Sequence, residues 1–198
     1  MIVLMDLGGV LVEVASARRI SQLSGGTLDE ARAAALWARS PALAAFERGA
    51  CAPEAFARAV VAELGLSVSP EDFLAAFAGF LTGLYPGARA LLEELGRGPH
   101  PLACLTDTNP VQWDSLCRRT GVDGYFQAHF LSWRIGHTKP DPAAYRAVID
   151  ALGCPPDQIA YFDDNPANVA AGAWAGMLAR RAVGVDGLRA QLEGLGLL

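Results

Sequence analysis

Five residues, far apart in the chain, carry side chains that could act together on a phosphoryl group. Asp6 follows an apolar run at residues 2–5 and precedes Gly8-Gly9. Thr106 follows the apolar run at 101–105, Lys139 stands in G-H-T-K-P-D at 136–141, and Asp163-Asp164 follow the run at 159–162. Each alone says little, since an Asp before glycines is a common turn. Brought to one place, a carboxylate, a hydroxyl, an ammonium and a carboxylate pair would suit a phosphate with a hard cation. Mg2+ takes oxygen ligands, and a lysine neutralises phosphoryl oxygens.

What must position them is a set of strand ends. A short apolar run before turn residues reads as a buried strand at 2–5, and comparable strand candidates stand at 101–105, 126–131, 159–162 and 177–182, with helical patterns between most of them. Such alternation predicts an α/β domain with a parallel sheet, whose strands present their carboxyl ends along one edge, where ligands bind. Between about residues 16 and 82 the pattern is helical with no convincing strand, which predicts a helical cap inserted after the first strand. The domains expected are therefore a core of 1–15 and 83–198 and a cap of 16–82. Within the cap, Thr27 with Glu30 fits a capping box, Ser69-Pro70 with Asp72 fits a helix start, and Phe56, Val60 and Leu64 form one apolar face.

Composition narrows the ligand. The 198 residues carry 21 acidic and 16 basic side chains, a net charge of −5, without a Lys/Arg run, which argues against a nucleic-acid partner. A hydrophobic fraction of 52% supports a sizeable core, yet no stretch approaches the roughly 20 apolar residues that span a bilayer, so no membrane partner is expected. Asp6 follows the first apolar residues with no basic stretch or cleavage site, and Cys51, Cys104, Cys117 and Cys154 are scattered. A cytoplasmic chain with reduced cysteines, acting on a small molecule, is the expectation.

With these motifs in order, the chain resembles the haloacid dehalogenase-like hydrolase superfamily over nearly its whole length. M-D-L-G-G-V-L-V at 5–12 matches the first motif, L-A-C-L-T-D-T-N the second, Lys139-Pro140 the third and Y-F-D-D-N-P-A-N-V-A-A-G the fourth. The resemblance implies a Rossmann-like core with an inserted cap, and a phosphatase in which Asp6 attacks phosphorus to give an aspartyl-phosphate that water hydrolyses. It implies Mg2+ held by Asp6, the Gly8 carbonyl, Asp163 and Asp164, with Thr106 and Lys139 on the phosphoryl oxygens.

One departure matters. The family's phosphatases usually carry a second Asp two residues after the nucleophile as general acid and base, where this chain has Gly8. Some members similar to sugar-1-phosphate phosphatases read D-L-G-N-V there. Asp107 is a candidate replacement, and Asp107, Asn109 and Trp113 are the expected pocket residues after the second motif, while Trp37 and Phe46 are read chiefly as cap core. His100, His129 and His137 lack metal-ligand spacing. Two alternatives stand beside the phosphatase: a metal-independent 2-haloacid dehalogenase, against which the Asp163-Asp164 pair argues, and a non-catalytic phosphate-binding relative.

Overall fold

The computed structural model describes residues 1–198. The apolar runs become the strands β1 (Ile2–Met5), β4 (Leu102–Thr106), β5 (Ala128–Leu131), β6 (Ile159–Asp163) and β7 (Leu178–Arg181), all parallel, in the order β5-β4-β1-β6-β7. Both faces of this sheet are covered, which is why the central strands β1, β4 and β6 are apolar up to their carboxyl ends rather than alternating, while the edge strand β7 carries the exposed Arg180 and Arg181. One face packs Val3, Met5, Cys104 and Phe162 against α6 (Ala88–Gly96), α7 (Pro110–Thr120) and α11 (Gly184–Gly194). The other packs Leu4, Leu105 and Tyr161 against α9 (Pro142–Leu152) and α10 (Pro166–Trp174). From β1 the connections run to β4 and β5 on one side and from β6 to β7 on the other, so a crevice opens at the carboxyl ends of β1 and β6.

Between β2 (Val12–Val14) and β3 (Leu81–Leu84) lie α1 (Ser16–Leu23), α2 (Glu30–Trp37), α3 (Pro41–Glu47), α4 (Pro53–Leu64) and α5 (Pro70–Phe77). Their apolar faces close on one another around Phe46, Phe56, Phe73, Phe77 and Phe80. Phe56 is fully buried, stacked on Phe46 at 4.3 Å between ring centroids and 4.9 Å from Phe77. Phe56, Val60 and Leu64 line the buried side of α4, as their spacing implies.

Two local expectations change. The segment read as wholly helical ends in a strand: β3 starts at Leu81 and pairs antiparallel with β2, a ribbon joining the helices to the core. Such short strands leave no periodic signal, and their partners lie far apart in the chain. Thr27 is not the helix cap either. Its hydroxyl donates to the Ser24 carbonyl, while the Asp29 side chain accepts from Arg32 N and starts α2. Ser69 does cap α5, accepting from Asp72 N at 3.0 Å. No helix is long and apolar enough to cross a membrane.

Because Phe56 sits at the centre of the aromatic cluster, Phe56→Ala should lower the unfolding free energy by about 3–5 kcal/mol. Urea denaturation of the two proteins measures this, and a loss under about 1 kcal/mol would mean that the cluster is not the packing centre of the helical segment.

Candidate active site

The carboxyl ends of β1, β4 and β6 deliver Asp6, Thr106 and Asp163 to one edge of the sheet, and the loop before α9 brings Lys139 beneath them. The Lys139 ammonium donates to Asp163 Oδ2 at 2.7 Å and to the Leu105 carbonyl at 3.1 Å, and lies 3.0 Å from Asp6 Oδ1. Burial works against its charge, but Asp6, Asp163 and Asp107 together outweigh burial and hold the ammonium above its usual range. The Asp6 carboxyl is pushed the other way: burial raises it, to about 7, with Lys139 opposing and Asp163 adding repulsion. Asp6 Oδ1 also accepts from the Leu7 amide at 2.7 Å, which fixes the carboxylate at the start of the turn.

Oxygens of Asp6, Asp163 and Asp164 lie within 4.8 Å of one another. The two neighbours in the pair are not equivalent. Asp163 is fully buried and accepts from Lys139, from the Tyr161 hydroxyl at 2.5 Å, from Asn165 N at 2.9 Å and from Asn168 Nδ2. Asp164 receives none of these donors and faces the cavity. Burial and the neighbouring Asp163 charge raise its carboxyl. Space for it exists because residue 9 is glycine: Gly9 has φ +70°, and a Cβ there would overlap the Asp164 carboxylate.

Asp6, Thr106, Asp107, Lys139 and Asp164 line a single cavity of about 700 Å³, closed on its far side by Trp37 and Glu47 from the helical segment. Trp113 also faces it. Asn109 does not. It is completely buried as the cap of α7, accepting from Gln112 N at 3.1 Å and donating to Gln112 Oε1, so the expectation that it binds substrate gives way to a helix-capping role. Phe46 is likewise withdrawn into the aromatic cluster. Asp107 Oδ1 accepts from the Lys139 amide at 3.0 Å, and burial, against Lys139, raises its carboxyl.

A family model described as haloacid dehalogenase-like hydrolase matches residues 1–176. The chain belongs to the haloacid dehalogenase-like hydrolases. Among curated proteins, the phosphoserine phosphatase of Thermus thermophilus is 38% identical over 108 residues, 54% of this chain and 42% of that protein. A phosphatase of Mycobacterium tuberculosis is 33% identical over 141 residues, 69% and 64% of the two chains. The chain thus spans about half the length of the curated relatives it matches. In three dimensions it is similar to a family enzyme of Bacteroides thetaiotaomicron solved with magnesium and inorganic phosphate, at 22% identity and TM-score 0.76 over 91% of this chain and 92% of that one. An L-2-haloacid dehalogenase of Xanthobacter autotrophicus carrying covalently bound chloropropionic acid gives 21% identity and TM-score 0.69 over 100% and 85%. At these identities the likenesses establish the haloacid dehalogenase-like fold, a parallel sheet flanked by helices.

Sequence reasoning missed Asn168, Tyr161 and Glu47. Tyr161 and Asn168 both lie within the fourth motif, where an Asn five residues after Asp163 on α10 returns to the same strand end. Glu47 carries no local signal, because only the packing of α3 decides where it points.

The contrast within the pair is testable on folding alone. Asp163→Asn leaves the Lys139 ammonium with one fewer anion and should cost about 3–5 kcal/mol. Asp164→Asn removes a desolvated charge that repels Asp163 and should stay within about 0.5 kcal/mol of the parent, or stabilise it. Thermal unfolding in metal-free buffer checks both, and equal losses would refute the division.

Proposed function

We propose that this protein is a Mg2+-dependent phosphomonoester hydrolase acting on a small phosphorylated metabolite through an aspartyl-phosphate at Asp6. The observation that carries this reading is the Asp6, Asp163 and Asp164 cluster within 4.8 Å. Lys139 offsets only part of that negative charge, and three carboxylates so close repel unless a further cation joins them. The residues fit one. Gly9 leaves room for the Asp164 carboxylate, and Asn168 Oδ1 and Thr108 Oγ1 in the cavity wall have no partner within the protein. Asp6, Asp164 and the Gly8 carbonyl would hold Mg2+ directly, with Asp163 behind them fixing Lys139. The chemistry supplied by the bound ion is neutralisation of charge between an anionic nucleophile and an anionic phosphoryl group.

The chain's own groups do the rest. An Asp6 oxygen attacks phosphorus, Lys139 stabilises charge gathering on the phosphoryl oxygens, and Thr106 donates its hydroxyl to one of them. Asp107, which lines the same wall, contacts the remainder of the substrate. The segment 16–82 acts as a cap, its Trp37 and Glu47 shielding the reaction from water, over a catalytic core of 1–15 and 83–198. Phosphatase relatives support this substrate class. Four unpaired cysteines agree with work in a reducing cytoplasm.

With Mg2+ the protein should release phosphate from a panel of phosphorylated metabolites, and EDTA should abolish the release. Asp6→Asn should lower turnover by at least about a hundredfold while the protein stays folded, which circular dichroism checks. Turnover undiminished by EDTA, or chloride release from a 2-haloacid without metal, would transfer the assignment to the dehalogenases.

A further inference from the structure

We propose that Glu47, the last residue of α3, is the proton donor to the leaving oxygen, occupying in function the position that Gly8 leaves without a carboxyl. This rests on the phosphatase reading above and extends it to a residue in the helical insertion.

Placement comes first. Glu47 faces the same cavity as Asp6, Thr106 and Asp107. Its seat is fixed by the turn that follows: Gly49, with φ +71°, lies so close to the Trp133 carbonyl that an added Cβ would come within 2.5 Å of that oxygen. Trp133 belongs to α8 (Ser132–Ile135), which follows β5, so the end of α3 is docked onto the core beside the strand ends.

Elimination comes second. Of the carboxyls in the cavity, Asp6 is the nucleophile and Asp164 faces the cation. Asp107 accepts the Lys139 amide, a bond that favours its ionised form against the burial that raises its carboxyl, and under the phosphatase reading it contacts the remainder of the substrate. Glu47 is left, and the protein's charges act on it through space, without a hydrogen bond. The charged groups that share its cavity are Asp6, Asp107, Lys139 and Asp164, and the charges that act on it most are those of Asp107, Lys139 and Arg48. Burial, reinforced by Asp107 and opposed by Lys139 and Arg48, raises Glu47 to about 8, so it enters the reaction as an acid at neutral pH. Two carboxyls whose surroundings separate their titrations in this way are how one site supplies both an acid and an anion.

The proton balance is complete. As the Asp6 oxygen bonds to phosphorus, the bond to the leaving oxygen breaks and that oxygen takes the Glu47 proton. The Glu47 carboxylate then accepts a proton from water, whose oxygen bonds to phosphorus as the bond to Asp6 breaks. Phosphate departs and both side chains are restored.

The test compares benzyl phosphate, a poor leaving group, with 4-nitrophenyl phosphate, a good one, by pre-steady-state release of the alcohol or phenol. Glu47→Gln should slow the benzyl ester by about a hundredfold and the nitrophenyl ester by less than about threefold. Glu47→Asp should retain more activity on the benzyl ester than Glu47→Gln does. The wild-type rate on benzyl phosphate should fall as pH rises through about 8, and this limb should vanish in Glu47→Gln. Gly8→Asp in the Glu47→Gln background should recover at least about tenfold. Residue 8 has no positive φ, and a Cβ there would lie 3.3 Å from Val14 Cγ2, so the exposed Val14 side chain must give by a few tenths of an ångström. Equal slowing of both esters by Glu47→Gln and Glu47→Asp, or an alkaline limb that survives in Glu47→Gln, overturns the role of Glu47 while leaving Asp6-dependent hydrolysis standing. Absence of hydrolysis that depends on Asp6 overturns the phosphatase reading and the role of Glu47 with it.

Discussion

The Lys139 ammonium, enclosed by Asp6 and Asp163 at 3.0 and 2.7 Å, is the interaction on which the site depends. A buried ion cluster of this kind contributes little net stability, because desolvation consumes most of the attraction. Its effect is geometric. It joins the ends of β1 and β6 to the loop before α9, and the Leu105 carbonyl adds the end of β4. Three strands already joined by backbone bonds and core packing are thereby also tied through their side chains where the chemistry takes place. Tyr161 donates to the same Asp163 oxygen as Lys139, Asn168 Nδ2 reaches both oxygens of that carboxylate, and the Tyr145 hydroxyl ties the Asn168 carbonyl to the second face of the sheet at 2.9 Å.

Much of this was legible in the chain. The central strands β1, β4 and β6 announce themselves as apolar runs because both faces of the sheet are buried, and the charged residues sit where those runs stop. The family resemblance then orders the same residues into a mechanism. Less legible was whatever depends on packing between distant segments. Val12 closes the first motif, and only the pairing of Val12–Val14 with Leu81–Leu84 makes that segment a strand. Asn109 and Asp107 are two positions apart after the same strand, yet one turns inward as a helix cap and the other faces the cavity. Asp163 and Asp164 read as twins, and their division of labour emerges only from the donors around Asp163.

The helical segment shows the same dependence. Its aromatic cluster is internally complete, with Trp37 alone belonging both to the cluster and to the cavity wall: its ring lies 5.9 Å from Phe77 while the residue faces Asp6 and Glu47. The side of this segment that meets the site is consequently rigid, backed by stacked rings rather than by a loose loop. A substrate fitting against it meets a preformed surface, which favours discrimination by shape.

The ribbon of Val12–Val14 and Leu81–Leu84 places the entry and exit of residues 15–80 side by side. To the sheet, the whole helical segment is therefore topologically a hairpin turn. The entropy of closing such a loop grows only with the logarithm of its length, so the core is nearly indifferent to what is threaded between the two strands. Arg119 fastens the ribbon by donating to the Leu81 and Thr82 carbonyls, which keeps the doorway's spacing constant whatever lies beyond it. A chain built this way can exchange, enlarge or trim the insertion over evolutionary time without renegotiating the architecture of the sheet. Substrate preference can then diverge on one module while the chemical machinery stays invariant on the other.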